Sequence, residues 1–202
     1  EDTWYSKGGT AIYYHPTGTF VKSLEALNEV PSYRTNADFN LNYRYADTSG
    51  REVNVDADYG LFRGTGKSYQ PNNYYEKDGS LLYKVINRNY TPTDIDIYTL
   101  KIDAEQRLGK AKLGYGLKGS YVVTANTFDF FNEINGNTIK ILSKSNSFKY
   151  TENVNAAYVN YNRQLNEKWS VQAGVRTEQT NSDGELTRAD GFIQSDNKVK
   201  RS

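Results

Sequence analysis

Residues 37–45 read Ala37-Asp38-Phe39-Asn40-Leu41-Asn42-Tyr43-Arg44-Tyr45. In an extended chain side chains alternate between two faces, so Ala37, Phe39, Leu41, Tyr43 and Tyr45 share one side and Asp38, Asn40, Asn42 and Arg44 the other. The same period of two returns in four more stretches. Their apolar positions are Val53, Val55, Ala57, Tyr59, Leu61; then Tyr98, Leu100, Ile102, Ala104; then Leu113, Tyr115, Leu117, Gly119, Tyr121, Val123; then Trp169, Val171, Ala173, Val175, Thr177. Over the five stretches the apolar faces hold 25 residues and no charge, and the opposite faces hold 24 residues of which 10 are charged. Antiparallel strands buried on one side only produce that split. A sixth strand at about 153–163, with Ala157, Val159 and Tyr161 on its apolar face, is needed to pair with 169 onward.

Composition agrees with a β chain. The 202 residues include 18 Tyr and 21 Asn but only 4 Pro. Tyr favours pleated, half-buried surfaces, and Asn favours turns and polar strand faces. There is no Cys, which excludes disulfide scaffolds, thiolate metal sites and cysteine nucleophiles. A single histidine, His15, excludes a multi-histidine metal site, and its place beside Pro16 reads as a loop tip. The formal charge is +1, so no nucleic-acid partner is expected. No apolar run approaches the roughly 18 residues of a membrane-spanning helix. A transmembrane β-barrel survives that exclusion, because its apolar residues alternate. The chain opens at Glu1, lacks Met throughout and stops at Lys200-Arg201-Ser202, so the expectation is a piece of a longer protein.

The connections alternate in length. Asp47 to Glu52, Leu108 to Lys112 and Gln164 to Lys168 are short, whereas 63–94 and 125–152 span 32 and 28 residues. This places every short turn at one end of the sheet and predicts long loops at the other. Each long loop carries a candidate small hairpin, one around Asp78-Gly79 and one around Asn135-Gly136, because both dipeptides suit turns needing positive φ. Another candidate surrounds Pro16-Thr17-Gly18. The expected organisation is one partial barrel domain over 1–202: residues 1–32 as the tail of a preceding loop, 33–178 as three hairpins, and 179–202 as the start of the next loop.

The fold class is therefore all-β, an antiparallel up-and-down meander. It is read as about six strands of a large transmembrane barrel with long loops carrying small hairpins. Ten residues rising about 3.3 Å each and tilted about 40° span about 25 Å, the height of a barrel's apolar band. Tyr43, Tyr45, Tyr121, Tyr161 and Trp169 lie towards strand ends, where an interfacial aromatic girdle belongs. The alternative reading is a soluble or surface-attached β-sandwich that binds carbohydrate, since a sandwich also has one uncharged face per strand. Loop asymmetry and uninterrupted hairpin order favour the barrel.

Five segments in order resemble a known family. They are Leu41-Asn42-Tyr43-Arg44-Tyr45, Val55-Asp56-Ala57-Asp58-Tyr59-Gly60, Pro92-Thr93-Asp94-Ile95-Asp96-Ile97-Tyr98, Asn153-Val154-Asn155-Ala156-Ala157-Tyr158 and Gly174-Val175-Arg176-Thr177-Glu178. Together they resemble part of the outer-membrane β-barrel of TonB-dependent receptors from Bacteroidota-type bacteria, over roughly 140 residues. The resemblance implies a bacterial outer-membrane location and import of a solute such as a siderophore, glycan or peptide. It also implies outer-membrane lipid as a partner, and the TonB complex acting through a plug region absent from this chain. It implies no cofactor and no enzymatic step.

Several motifs are read against structural alternatives. Gly114-Tyr115-Gly116-Leu117-Lys118-Gly119 fits a dinucleotide fingerprint but lies inside an alternating strand with no helix to follow. Arg63-Gly64-Thr65-Gly66-Lys67-Ser68 lacks the first glycine of a phosphate loop. Asp56 with Asp58, and Asp103 with Glu105, are carboxylates two apart on one face; with Arg176 and Glu178 they read as a structural network lining the lumen. The ligand-binding candidates are the loop aromatics Tyr69, Tyr74 and Tyr75 in one long loop, and Phe128, Phe130 and Phe131 in the other.

Overall fold

A computed structural model describes residues 2–14, 17–134 and 136–201. His15, Pro16 and Asn135 lie outside the described residues. The strands are β1 Asp2–Tyr14, β2 Thr19–Ala46, β3 Arg51–Tyr75, β4 Leu81–Leu108 and β5 Ala111–Ile134. The short β6 Asn137–Lys140 precedes β7 Asn146–Gln164, β8 Ser170–Arg188 and β9 Ile193–Arg201. They form one antiparallel sheet in the order β1-β2-β3-β4-β5-β7-β8-β9, with β6 paired to the end of β5 alone. Among the described residues the meander therefore has eight strands where the sequence predicts about six.

The predicted long loops are not loops. Residues 63–75 continue β3 and 81–94 continue β4, paired in unbroken register from Arg51↔Gln106 to Tyr74↔Tyr83. Residues 125–134 likewise continue β5, and 146–152 belong to β7. Of the stretch 1–32, read as a loop tail, residues 2–14 form β1 and 19–32 belong to β2, paired with each other, and 179–201 lies in β8, its turn and β9. The turn at Asp78-Gly79 closes the long β3–β4 hairpin itself. Gly79 adopts φ 84° there, a conformation that other residues reach only with strain. The other candidate small hairpin does form, with β5 and β6 paired from Ile134↔Asn137 and Gly136 at φ 76°.

Side chains set the turns at both ends. The Asp47 carboxylate accepts from Ser49 N at 2.9 Å, Ser49 Oγ at 2.6 Å and Arg51 N at 3.1 Å. At the far end the Asp78 carboxylate accepts from Ser80 N at 2.9 Å and Ser80 Oγ at 2.7 Å. These hydrogen bonds hold both carboxyls below the usual Asp range, the side-chain hydroxyl contributing most in each.

The sheet is a single layer. Its surface area is 13944 Å², against about 9,600 Å² for a globular protein of 23.0 kDa. Among the described residues the buried apolar side chains are Ile86, Ala111 and Ala156. Substantial contacts run only between neighbouring strands, apart from one helical turn at Leu142–Lys144. A β-sandwich needs a second sheet across its apolar face, and none lies among the described residues. The sandwich alternative fails on that point.

Candidate functional site

Constant register from β2 to β9, apart from a shift at Tyr74/Tyr75, lets the two faces be followed across those strands. Leu41, Ala57, Leu100 and Gly119 form one row of paired residues, and Arg51, Gln106, Leu113, Tyr161 and Ala173 form another. On the Leu41 face the apolar band is open to its surroundings, with Leu41 73%, Leu117 59% and Val175 76% exposed. The band is also slanted. It centres on Leu41 in β2 and on Ala173 in β8, and the row of Ala173 crosses β3 at Arg51, six residues nearer the short turns than Ala57, the partner of Leu41. Six residues over five strand-to-strand steps correspond to a tilt of about 40°, taking a rise of about 3.3 Å and a spacing of about 4.8 Å. A level lipid belt around tilted barrel strands requires this slant, and membrane barrels tilt by roughly 35–45°.

The opposite face, carrying Asp58, is polar and internally paired within the band. Asn42 Nδ2 donates to Asp56 at 2.5 Å and Asn40 Nδ2 to Asp58 at 2.6 Å. Lys112 Nζ lies 2.7 Å from Glu105, Arg176 Nη2 lies 2.5 Å from Glu178, and Lys101 pairs with Asp103. The Tyr158 hydroxyl also donates to Asp103, across Gly116. Asp103, Gly116, Tyr158 and Arg176 share one row, whereas Asp56, Asp58 and Glu105 belong to other rows. Every predicted network carboxylate thus has its own donor. No cluster of three or more potential metal ligands occurs among the described residues.

Beyond the row Phe39–Tyr59–Tyr98–Tyr121 the polarity of the two faces exchanges. The Phe39 and Tyr59 rings are 6.1 Å apart and the Tyr59 and Tyr98 rings 4.9 Å, stacked as an aromatic girdle. Past it, charge moves to the Leu41 face: Arg63 and Lys67 on β3, Lys84, Arg88, Asp94 and Asp96 on β4, Asp129 and Glu133 on β5. Arg63 Nη2 bonds Asp96 at 2.7 Å, Arg88 bonds Glu133 at 2.8 Å and Lys140 bonds Asp129 at 2.6 Å. On the Asp58 face the same strands carry no charge from Phe62 to Tyr74, from Tyr83 to Ile97 and from Val122 to Asn132. The charges bordering that face are Lys22, Arg34 and Asp38 of β2 and Glu152 of β7.

This exchange divides the predicted aromatic cluster. Tyr69, Tyr75 and Phe131 lie on the charged Leu41 face. Tyr69 and Phe131 flank Arg88 in one row, and the Arg88 guanidinium stacks 4.5 Å from the Tyr69 ring. They border a 470 Å³ cleft that also includes Glu29 and Lys67. Tyr74, Phe128 and Phe130 lie on the neutral face. Tyr74 stacks on Tyr83 at 4.5 Å, with Lys22 Nζ 4.7 and 4.9 Å from the two rings. Phe128 and Phe130 stack at 6.5 Å, and Lys144 Nζ lies 4.8 Å from the Phe130 ring. Fully buried Ser145 fixes the chain's return there, its Oγ accepting from Phe130 N at 3.0 Å and donating to Ile141 O at 2.9 Å.

Sequence reasoning missed the amides between these aromatic pairs. Gln70, Asn87 and Asn132 form one row on the neutral face. The buried Oδ1 atoms of Asn89 and Asn132 have no donor among the described residues. Their signal in the sequence is the period of two running on past Leu61, with charge on the other parity.

A one-layer antiparallel sheet with a slanted lipid band, a girdle and a polar opposite face is the wall of a transmembrane β-barrel. The chain belongs to the outer membrane protein beta-barrel family, whose family model matches residues 44–200. Its location is the bacterial outer membrane. Two solved structures are similar in fold. One is the ferric yersiniabactin uptake receptor FyuA from Yersinia pestis, at 12% identity and a TM-score of 0.48 over 100% of this chain. The other is the ferric citrate transporter FecA in its unliganded form, at 8% identity and a TM-score of 0.37 over 98% of this chain. The chain spans 41% and 38% of the lengths of those two chains. No curated protein sequence matches.

Proposed function

We propose that this chain is part of the barrel wall of a TonB-dependent receptor that captures a solute outside the cell and passes it to the periplasm. The observation that carries the reading is the exchange of polarity at the girdle. Below it the interior face is a polar lining whose carboxylates each have a donor; above it, on β3 to β5, the same face becomes a charge-free surface of amides and aromatic rings. A wall serving only as a passive pore would need no such outer chamber. In this reading the chemistry is binding and gating with no covalent step, and the partners are outer-membrane lipid, the solute, and the TonB complex acting through a plug outside this sequence. The test is solute accumulation in the source bacterium, comparing wild type, a strain lacking this protein and a strain lacking TonB. Equal loss in both deletion strains is the expected result. Accumulation unchanged in both would overturn import.

A further inference from the structure

We infer that the solute recognised by the neutral face is an uncharged, hydroxyl-rich molecule, a saccharide, and not an anionic metal chelate; this rests on the receptor reading above. Above the girdle, β3, β4 and β5 place their charged side chains on the outward face. The face towards the barrel axis keeps only hydroxyls, amides, glycines and apolar groups. Burying a formal charge against such a surface would leave it without a counter-ion. The cations that reach this region are already engaged, Lys22 and Lys144 on aromatic rings at its two margins and Arg34 beside Gly64 of β3.

What the face does offer suits sugar hydroxyls. The Gln70–Asn87–Asn132 row presents neighbouring amides, each able to donate and accept, at the spacing of adjacent strands. The amide oxygens of Asn89 and Asn132 are buried and lack donors within the described sheet, so these amides are not tied into a fixed internal network. Aromatic rings stand on either side, Tyr74 with Tyr83 at one margin and Phe128 with Phe130 at the other. Their apolar faces suit the C–H faces of pyranose rings, while the amides read the rim of hydroxyls.

The experiment uses the intact outer-membrane protein that contains this chain, purified in detergent. Its probes are a panel of neutral gluco-, manno- and galacto-oligosaccharides, with ferric citrate as the anionic chelate. Binding is read by calorimetry at low and high salt, with Gln70→Leu/Asn87→Leu as the variant. The expected result is binding of a neutral oligosaccharide whose Kd changes less than about twofold with salt, because no charge is paired. The variant, still folded as judged by heat-modifiable mobility, should bind about tenfold more weakly, as loss of two neutral hydrogen bonds implies. Binding of ferric citrate alone, weakening steeply with salt, would overturn the saccharide class and leave import standing. Failure of the whole oligosaccharide panel, or saccharide binding that the variant does not weaken, would also overturn it. The import reading is judged separately, by the TonB-dependent accumulation described above.

Discussion

The Tyr158 hydroxyl on β7 donates to the Asp103 carboxylate on β4 by passing over Gly116, the β5 residue between them. A Cβ at position 116 would lie 2.5 Å from Tyr158 Cε1 and 2.6 Å from Asp103 Oδ1. That glycine belongs to the apparent dinucleotide fingerprint, and its physical task is to let a tyrosine cross a strand. Gly116→Ala should destabilise the barrel by about 1–3 kcal/mol through overpacking. The check is the temperature at which heat-modifiable gel mobility is lost. Tyr158→Ser should relieve part of the penalty, giving a double variant less damaged than the two single effects added together.

The lipid band predicts a depth-dependent cost of charge. Leu117 lies near the centre of the band on β5 and is 59% exposed on the Leu41 face. Leu117→Arg should cost about 2–4 kcal/mol, the range for a charge at the bilayer midplane of a barrel. Tyr90→Arg, on the same face but above the girdle, should cost less than about 1 kcal/mol. Folded protein in the outer-membrane fraction, scored by mobility of unheated samples, separates the two.

The ladder's extension past the girdle predicts a pattern of chemical accessibility. The chain has no native cysteine, so single substitutions report cleanly. On intact cells a membrane-impermeant maleimide should label Tyr69→Cys and Asn73→Cys, which stand above the girdle, and should leave Leu41→Cys and Leu100→Cys unlabelled. Labelling of Leu100→Cys would place that row outside the lipid.

The turn carboxylates predict a pH dependence. Asp47 and Asp78 are both held below the ordinary value of 3.8 by hydrogen bonds accepted from neighbouring Ser and backbone groups. A depressed folded-state pKa contributes stability that is fully present above the ordinary value and is lost as pH falls through the depressed one. Melting temperature should therefore fall with acidification below about pH 4. The slope should be shallower in Asp47→Asn/Asp78→Asn, which keeps an acceptor oxygen in each turn but does not titrate there. Equal slopes would assign the acid sensitivity to other groups.

Strand type and pairing partners were legible wherever one face met an apolar phase. From Ala37 to Tyr45, or Leu113 to Val123, the band appears directly as alternation. Reading stopped at Arg63, Asp94 and Asp96, where charges enter the face that had been apolar. These residues mark the point where the sheet leaves lipid and both faces meet water. With no apolar side left, the period of two persists but carries no contrast in burial, so strands read as loops. The six aromatics, read as loop residues, lie in the continued strands β3 and β5. Tyr69 and Tyr74 are five positions apart, an odd number, and so face opposite ways, which only a continuous strand imposes.

The sequence by itself determined an antiparallel meander, the two-faced band and the tight turns, because alternation and turn chemistry are local properties. Tertiary structure alone decided the slant of the band, the reach of Tyr158 over Gly116, and the gathering of Gln70, Asn87 and Asn132 into one neutral row. Each of these depends on how far pairing runs past each turn and on how the registers of successive hairpins add across the sheet, which no short stretch of sequence contains.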